Sequence, residues 1–339
     1  MLYVTTRNKT DSYTAYKALR DGITSDGGQF LPLQLPILSQ EMLEEILELS
    51  FCDAVAQILN MFFSARLTGW DVEFAIGRRP LTFSTFGRKI TVAEFWNNAD
   101  QSMKYSMDRV YKLLCDHDVV CGEARGWGAI AIRIAFLFGA FSQLKRENIT
   151  VFDIATSGYD MESVMAAWYA RKMGLPIGLI LCGTNENFGI WDLLYKGQLD
   201  TGAAVVATDA EAMDQVVPAG VERLICETLG LEENLVFMHH VKQKNVYRVP
   251  DEQRNLLSAG LFSSVVGKKR VKDLINSVYQ TNGYFIDPYM AISYGTLQDY
   301  RSKTGENRMT LMISEAAPVK YAQIIASATG LSESQIRKA

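Results

Sequence analysis

The stretch from Ile149 to Asn187 reads as strand, turn, helix, strand. The run Thr150-Val151-Phe152-Asp153-Ile154-Ala155 is short, apolar and partly β-branched, and Ser157-Gly158 closes it. That pattern predicts a buried strand ending at a tight turn. From Met161 to Met173 apolar residues return at helical spacing (Val164, Met165, Trp168, Tyr169), and Gly174-Leu175-Pro176 supplies the stop. Ile177 to Cys182 predicts a second buried strand. A strand, helix and strand in about thirty residues make the parallel βαβ unit, which is right-handed and covered by helices on its faces. In such sheets ligands sit beyond the carboxyl ends of the strands, so function is sought at residues 156–161 and 183–187.

A chain of 339 residues, 48% hydrophobic and 21% charged, can bury a large core and divide into two lobes. Its net charge of −4 gives no basic footprint, which argues against a nucleic-acid partner. The five cysteines (Cys52, Cys115, Cys121, Cys182, Cys226) are widely spaced and lie mostly in apolar runs, the pattern of reduced core thiols. The start, Met-Leu-Tyr-Val-Thr-Thr-Arg, lacks a basic region followed by a long apolar run, and no later segment reaches 18 uninterrupted apolar residues. These features predict a cytoplasmic protein with no membrane partner. The adjacent His239-His240 and the lone His117 lack metal-ligand spacing, so no metal is expected.

Along the chain, a strand is expected at Leu2 to Thr5, a turn at Asp26-Gly27-Gly28 and a helix after Leu38 with Ser39 as its cap. Ile90 to Phe95 predicts a strand, followed by a polar loop (Asn97, Asn98, Asp100) and a helix from Ser102 to Leu114 that carries Lys104 near its start. Trp127 to Leu144 is too long and too apolar for a strand and predicts a buried helix interrupted by Arg133. Residues 200–290 are expected to alternate short strands and helices. Asp287-Pro288 opens a helix, Met309 to Ser314 a strand, and Pro318 a last helix.

The segment Gly22-Ile-Thr-Ser-Asp26-Gly27-Gly28-Gln-Phe30-Leu-Pro32, with Tyr3-Val-Thr-Thr-Arg7 before it, resembles the opening of threonine synthases. Further matches follow in family order: Lys172-Met173-Gly174-Leu175-Pro176-Ile177, Thr184-Asn185-Glu186-Asn187, Gly220-Val-Glu222-Arg223-Leu224, Asp287-Pro288 and Ala317-Pro318-Val-Lys320-Tyr321. The resemblance runs over nearly the whole length. It implies an α/β protein with the tryptophan-synthase-β-like large domain of PLP fold type II, built on a parallel sheet. It also implies a small mobile domain largely missing from this chain. The divisions it suggests are an amino-terminal segment at 1–90, a remnant of the lysine-bearing region at 91–118 and the large α/β domain at 119–339.

Measured against that resemblance, the site is degenerate. The family's cofactor lysine lies in Glu-Leu-Phe-His-Gly-Pro-Thr-x-x-Phe-Lys-Asp, and the same spacing here runs from Glu94 to Tyr105. It keeps Lys104, the candidate Schiff-base lysine, but little of its surroundings. Asn97 falls within that segment. The phosphate loop, with several glycines in the family, is here Thr156-Ser157-Gly158-Tyr159-Asp160-Met161, and Asp160 adds a negative charge where a phosphate would sit. Glu315 stands at the position of the pyridine-nitrogen partner. Where cofactor-facing asparagines and a glutamine are expected, the chain has Glu123, Arg125 and Arg133. The resemblance thus implies degenerate cofactor positions at Ser157, Gly158, Tyr159 and Glu315, and ligand-binding positions at Asn97, Glu123, Arg125, Arg133 and Asp160. Two arginines beside a lysine call either for internal carboxylates or for an anion from a ligand.

Three readings follow. The first is a repurposed threonine-synthase-like protein, not competent for threonine synthesis, which binds an anionic or zwitterionic, amino-acid-like or peptide ligand without normal PLP chemistry. The second is a PLP-dependent lyase of altered substrate that uses Lys104. The third is a noncatalytic partner or regulator of another enzyme, acting as a homodimer or through a partner protein. The cofactor expectation is accordingly none or PLP.

Overall fold

The crossover unit read between residues 149 and 187 lies at the middle of a computed structural model that describes residues 1–115, 122–144, 151–159 and 161–338. The chain begins with β1 (Leu2–Thr5), β2 (Tyr13–Thr14), α1 (Ala15–Asp21) and β3 (Phe30–Pro32), and β1 pairs antiparallel with both other strands. Next come α2 (Gln40–Glu48), α3 (Phe51–Phe63), α4 (Gly69–Ile76), β4 (Thr82–Thr85), β5 (Ile90–Glu94), α5 (Met103–Leu114) and α6 (Gly126–Gln143). The crossover itself is β6 (Phe152–Ser157), α7 (Glu162–Met173) and β7 (Ile177–Thr184), followed by α8 (Gly189–Lys196) and β8 (Gln198–Asp200). Then follow α9 (Gly220–Thr228), α10 (Leu231–Gln243), β9 (Val246–Arg248), α11 (Arg254–Ser258), β10 (Leu261–Val265) and α12 (Lys268–Asn282). The chain closes with α13 (Pro288–Thr304), β11 (Thr310–Ser314), α14 (Ala322–Thr329) and α15 (Glu333–Ile336).

Helix starts follow local chemistry. Ser39, Ser102 and Asp287 accept from the backbone N–H groups of Met42, Tyr105 and Met290, and Pro288 occupies the first position of α13. Gly174 ends α7 with a positive φ of 116°, a conformation glycine adopts without cost. Met161 takes a positive φ as the residue before α7, so that helix starts one residue later than the expected Met161. Between 200 and 290 the short strands β9 and β10 are interspersed among the helices α9 to α12, in keeping with the expected alternation. Buried Val221, Leu224 and Ile225 share one face of α9 at helical spacing. The described residues between Met103 and Val151 form α5 and α6 and contain no strand.

The main sheet has the order β10-β7-β6-β11-β5-β4, parallel except for the edge strand β4. Successive side chains alternate between its faces. Ile154, Leu311 and Ile313 enter the core shared with α3, α6 and α7, whereas Ala155 and Met312 enter the one shared with α12, α13 and α14. Strands buried on both faces need apolar residues at every position, and β11, Thr-Leu-Met-Ile-Ser, is buried throughout.

The expectation of reduced thiols changes in part. Cys52, Cys182 and Cys226 are buried free thiols, but Cys115 is disulfide-bonded, so the cysteines are not all reduced; Cys121 lies outside the described residues. Helix α6 is long and apolar enough by composition to cross a membrane, but Arg133 interrupts its apolar run and it is mostly buried inside the fold.

Candidate functional site

A cavity of about 280 Å³ opens at the carboxyl ends of β6 and β11. Four segments supply most of its lining, and Ala212, between β8 and α9, adds to it. Thr156, Ser157 and Tyr159 come from the end of β6, and Glu315, Ala316, Lys320 and Tyr321 from the segment after β11. Asp287, Tyr289, Met290 and Ser293 come from the start of α13, and Asp100, Ser102 and Lys104 from the approach to α5. The backbone holds two of these segments together: Met103 N–H donates to Glu315 O at 2.6 Å and Ala317 N–H to Gln101 O at 3.0 Å. The start of α5 is thereby pinned beside the end of β11.

Charge inside this frame is mostly internal. Arg133, 7% exposed in the middle of α6, donates to Glu315 Oε2 at 3.1 Å and pairs with Glu162 at 3.4 Å. A guanidinium buried in an apolar helix would be costly without such carboxylates. Ser163 Oγ donates to the other oxygen of Glu315. Lys104 has a side chain 60% exposed, with Nζ 2.8 Å from Asp108 and 3.0 Å from Glu123. Its partial burial acts to lower the ammonium pKa, but the two carboxylates outweigh this and the net direction is upward. Lys320 Nζ lies 3.0 Å from Asp100.

Asp287 differs. It is 2% exposed, and burial pushes its carboxyl up to about 7 against the N–H groups of Met290 and Tyr289, which favour the anion. The charged group acting on it is another carboxylate, Glu315, which raises it further. Tyr289 and Tyr321 are also raised, first by burial and then by acidic neighbours that include Asp287. Tyr159, Tyr289 and Tyr321 form a continuous wall, with ring centroids 6.1 Å and 5.6 Å apart in sequence along it.

The residues singled out from sequence divide accordingly. Lys104, Ser157, Tyr159 and Glu315 line the cavity. Gly158 turns away from it: a Cβ there would meet Cys182 Sγ at 2.7 Å, so the glycine serves packing against β7. Asn97 is exposed and donates to Arg79 O at 2.8 Å, away from the cavity. Arg125 is also exposed; its stem covers Gly22 and its guanidinium donates to Arg20 O, so it serves the contact between α6 and α1. Glu123 is an exposed partner of Lys104, and Arg133, which does not line the cavity itself, meets the lining residue Glu315. Asp160 lies outside the described residues. Sequence reading did not assign Asp287, Tyr289, Lys320 and Tyr321 to the site. Their signal was present in the Asp287-Pro288-Tyr289 and Ala317-Pro318-Val-Lys320-Tyr321 motifs, but their convergence depends on the fold. Glu162 and Ser163 gave no signal.

Comparison with known proteins agrees with this architecture. The family described as Threonine synthase N terminus matches residues 2–78. Threonine synthase of Saccharomyces cerevisiae is 24% identical over 230 residues, covering 62% of this chain and 45% of that protein. Threonine synthase-like 2 of Homo sapiens is 24% identical over 221 residues, 63% of this chain and 46% of that protein. The chain therefore spans less than half the length of the curated relatives it matches. In three dimensions it is similar to a PLP-bound threonine synthase from Brucella melitensis, with a TM-score of 0.84, 17% identity, and 98% and 92% of the two chains covered. It is likewise similar to threonine synthase from yeast, with a TM-score of 0.83, 17% identity, and 97% and 90% covered. The amino-terminal match, the relatives and the PLP fold type II architecture agree in making this chain similar to threonine synthases.

Proposed function

We propose that this chain is a repurposed threonine synthase-like protein that does not make threonine from phosphohomoserine. In this reading it binds a small zwitterionic, amino-acid-like ligand in the cavity beyond β6 and β11. The observation that carries it is the state of Lys104. A lysine that attacks an aldehyde needs its neutral amine, and burial without carboxylates is the usual way to obtain it. Lys104 is instead mostly exposed, held by Asp108 and Glu123, and shifted toward its charged form.

PLP does not fit the remaining residues either. Its phosphate needs oriented N–H groups and glycine for close approach, yet the space beside Gly158 is filled by Cys182 and Gly183. Glu315 already accepts from Arg133 and Ser163. Stabilising groups at a reacting centre are worth about 3 kcal/mol each, so the loss of several removes useful threonine synthesis. The anionic half of the sequence expectation rested on Arg125 and Arg133. Because one faces α1 and the other is committed to Glu162 and Glu315, the ligand's anionic end is assigned to Lys104 and Lys320 at the cavity mouth.

One observation favours the second reading, a PLP-dependent lyase: Lys104 does line the same cavity. Two assays separate them. The repurposed protein gives no threonine above a no-enzyme control from phosphohomoserine and, when PLP is added, no absorption band beyond that of free PLP. Threonine formation, or a visible band that Lys104→Ala abolishes, would overturn the proposal.

A further inference from the structure

We propose that the inner wall of the cavity recognises a small alkylammonium group, with the faces of Tyr159, Tyr289 and Tyr321 and the carboxylate of Asp287 as its specificity-determining contacts. This rests on the reading of the cavity as a ligand site. Three observations converge on it.

The cationic side chains that line the cavity are engaged at its mouth, Lys104 with Asp108 and Glu123, and Lys320 with Asp100. The inner carboxylates are not balanced in the same way. Glu315 has Arg133, but Asp287 is buried beside Glu315 and is held only by backbone N–H groups at the start of α13. That helix cap occupies Asp287 Oδ1 through Met290 N–H at 2.9 Å; burial holds the proton on this carboxyl up to about pH 7, so a cation seated beside it would favour the carboxylate form. The three tyrosines then supply aromatic surface beside the same carboxylate. An aromatic face with an adjacent carboxylate attracts an organic cation and discriminates against phosphate. At about 280 Å³ the cavity suits an occupant of amino-acid size, near the lower end of common ligand pockets. Asp100, Lys104, Glu315 and Lys320 are the other charged groups lining it.

The test uses the full chain with choline as the probe and 3,3-dimethyl-1-butanol, its neutral isostere, as the control. Inorganic phosphate is a third probe, and binding is followed by calorimetry and saturation-transfer NMR. The inference expects choline to bind at least tenfold more tightly than the isostere. Loss of an aromatic face costs roughly fivefold or more in affinity, so Tyr321→Leu and Tyr159→Leu should weaken choline by that factor, whereas Tyr321→Phe, which keeps the face, should not. Asp287→Asn, which keeps a helix-capping side chain, should weaken choline while leaving the isostere unchanged. Circular dichroism of each variant separates lost binding from lost folding, and Tyr321→Phe provides the folded reference. Equal binding of choline and the isostere would sink the ammonium assignment while leaving a ligand site. Binding of phosphate alone, or of none of the three, would overturn the inference. A Lys104-dependent visible band with PLP would instead overturn the functional reading beneath it.

Discussion

Arg133 shows how one residue's meaning depends on what the fold brings to it. In sequence it is the sole charge within an apolar helix, and it invited a ligand. In the structure Glu162, from the first turn of α7, and Glu315, after β11, enclose it. Breaking a buried pair from one side leaves the other charge unpartnered, at about 3 to 5 kcal/mol. Because both carboxylates are about a quarter exposed, Arg133→Met should destabilise by about 3 kcal/mol, and adding Glu315→Gln should recover part of that loss. A double-mutant cycle in urea measures the coupling; additive losses would show that the pair contributes nothing of its own. Asp287 yields a prediction of pH dependence. Its folded pKa of about 7 lies above the ordinary value of 3.8, so the folded state holds its proton longer than the unfolded state. This group's contribution to stability is therefore greatest below about pH 4 and is lost as pH rises through 7. Asp287→Asn should flatten that fall in a series of melts, and an unchanged slope would place the titration elsewhere. The carboxylates that enclose Arg133 were not legible from one sequence, since they lie 29 and 182 positions away, and neither was the approach of Glu315 to Asp287, although the helix cap at Asp287 was.

At the scale of elements, the sequence was far more readable. The apolar length of α6, the caps at Ser39, Ser102 and Asp287, and the period of β6, α7 and β7 each follow from local chemistry. What local chemistry omits is close approach between elements. Gly126 has a φ of 55°, and a Cβ there would lie 2.3 Å from Gly22 O, so α6 begins against the end of α1 only because this residue has no side chain. Gly126→Ala should cost about 1 to 3 kcal/mol through strain at this junction. Thermal unfolding checks it, and a melt unchanged from the parent would mean that the two segments separate freely. The same junction occupies Arg125, which explains why a residue aligned with a cofactor-facing asparagine ends on the surface.

Across the whole molecule, the parallel sheet and the likeness to threonine synthases were legible because motifs matched in order along the chain. The cavity's character was not, since its aromatic wall draws on the end of β6, the start of α13 and the turn before α14. The fold brings these together at the carboxyl ends of the strands, where parallel sheets bind ligands, while its charges favour an occupant unlike a phosphate-bearing cofactor. The central claim is that this site has left PLP chemistry, and covalent trapping tests it most directly. The full chain is incubated with PLP, reduced with borohydride and analysed by mass spectrometry beside Lys104→Ala. The account predicts that Lys104 carries no adduct, so the two proteins show the same low labelling; a stoichiometric adduct on Lys104, absent from the variant, would contradict it.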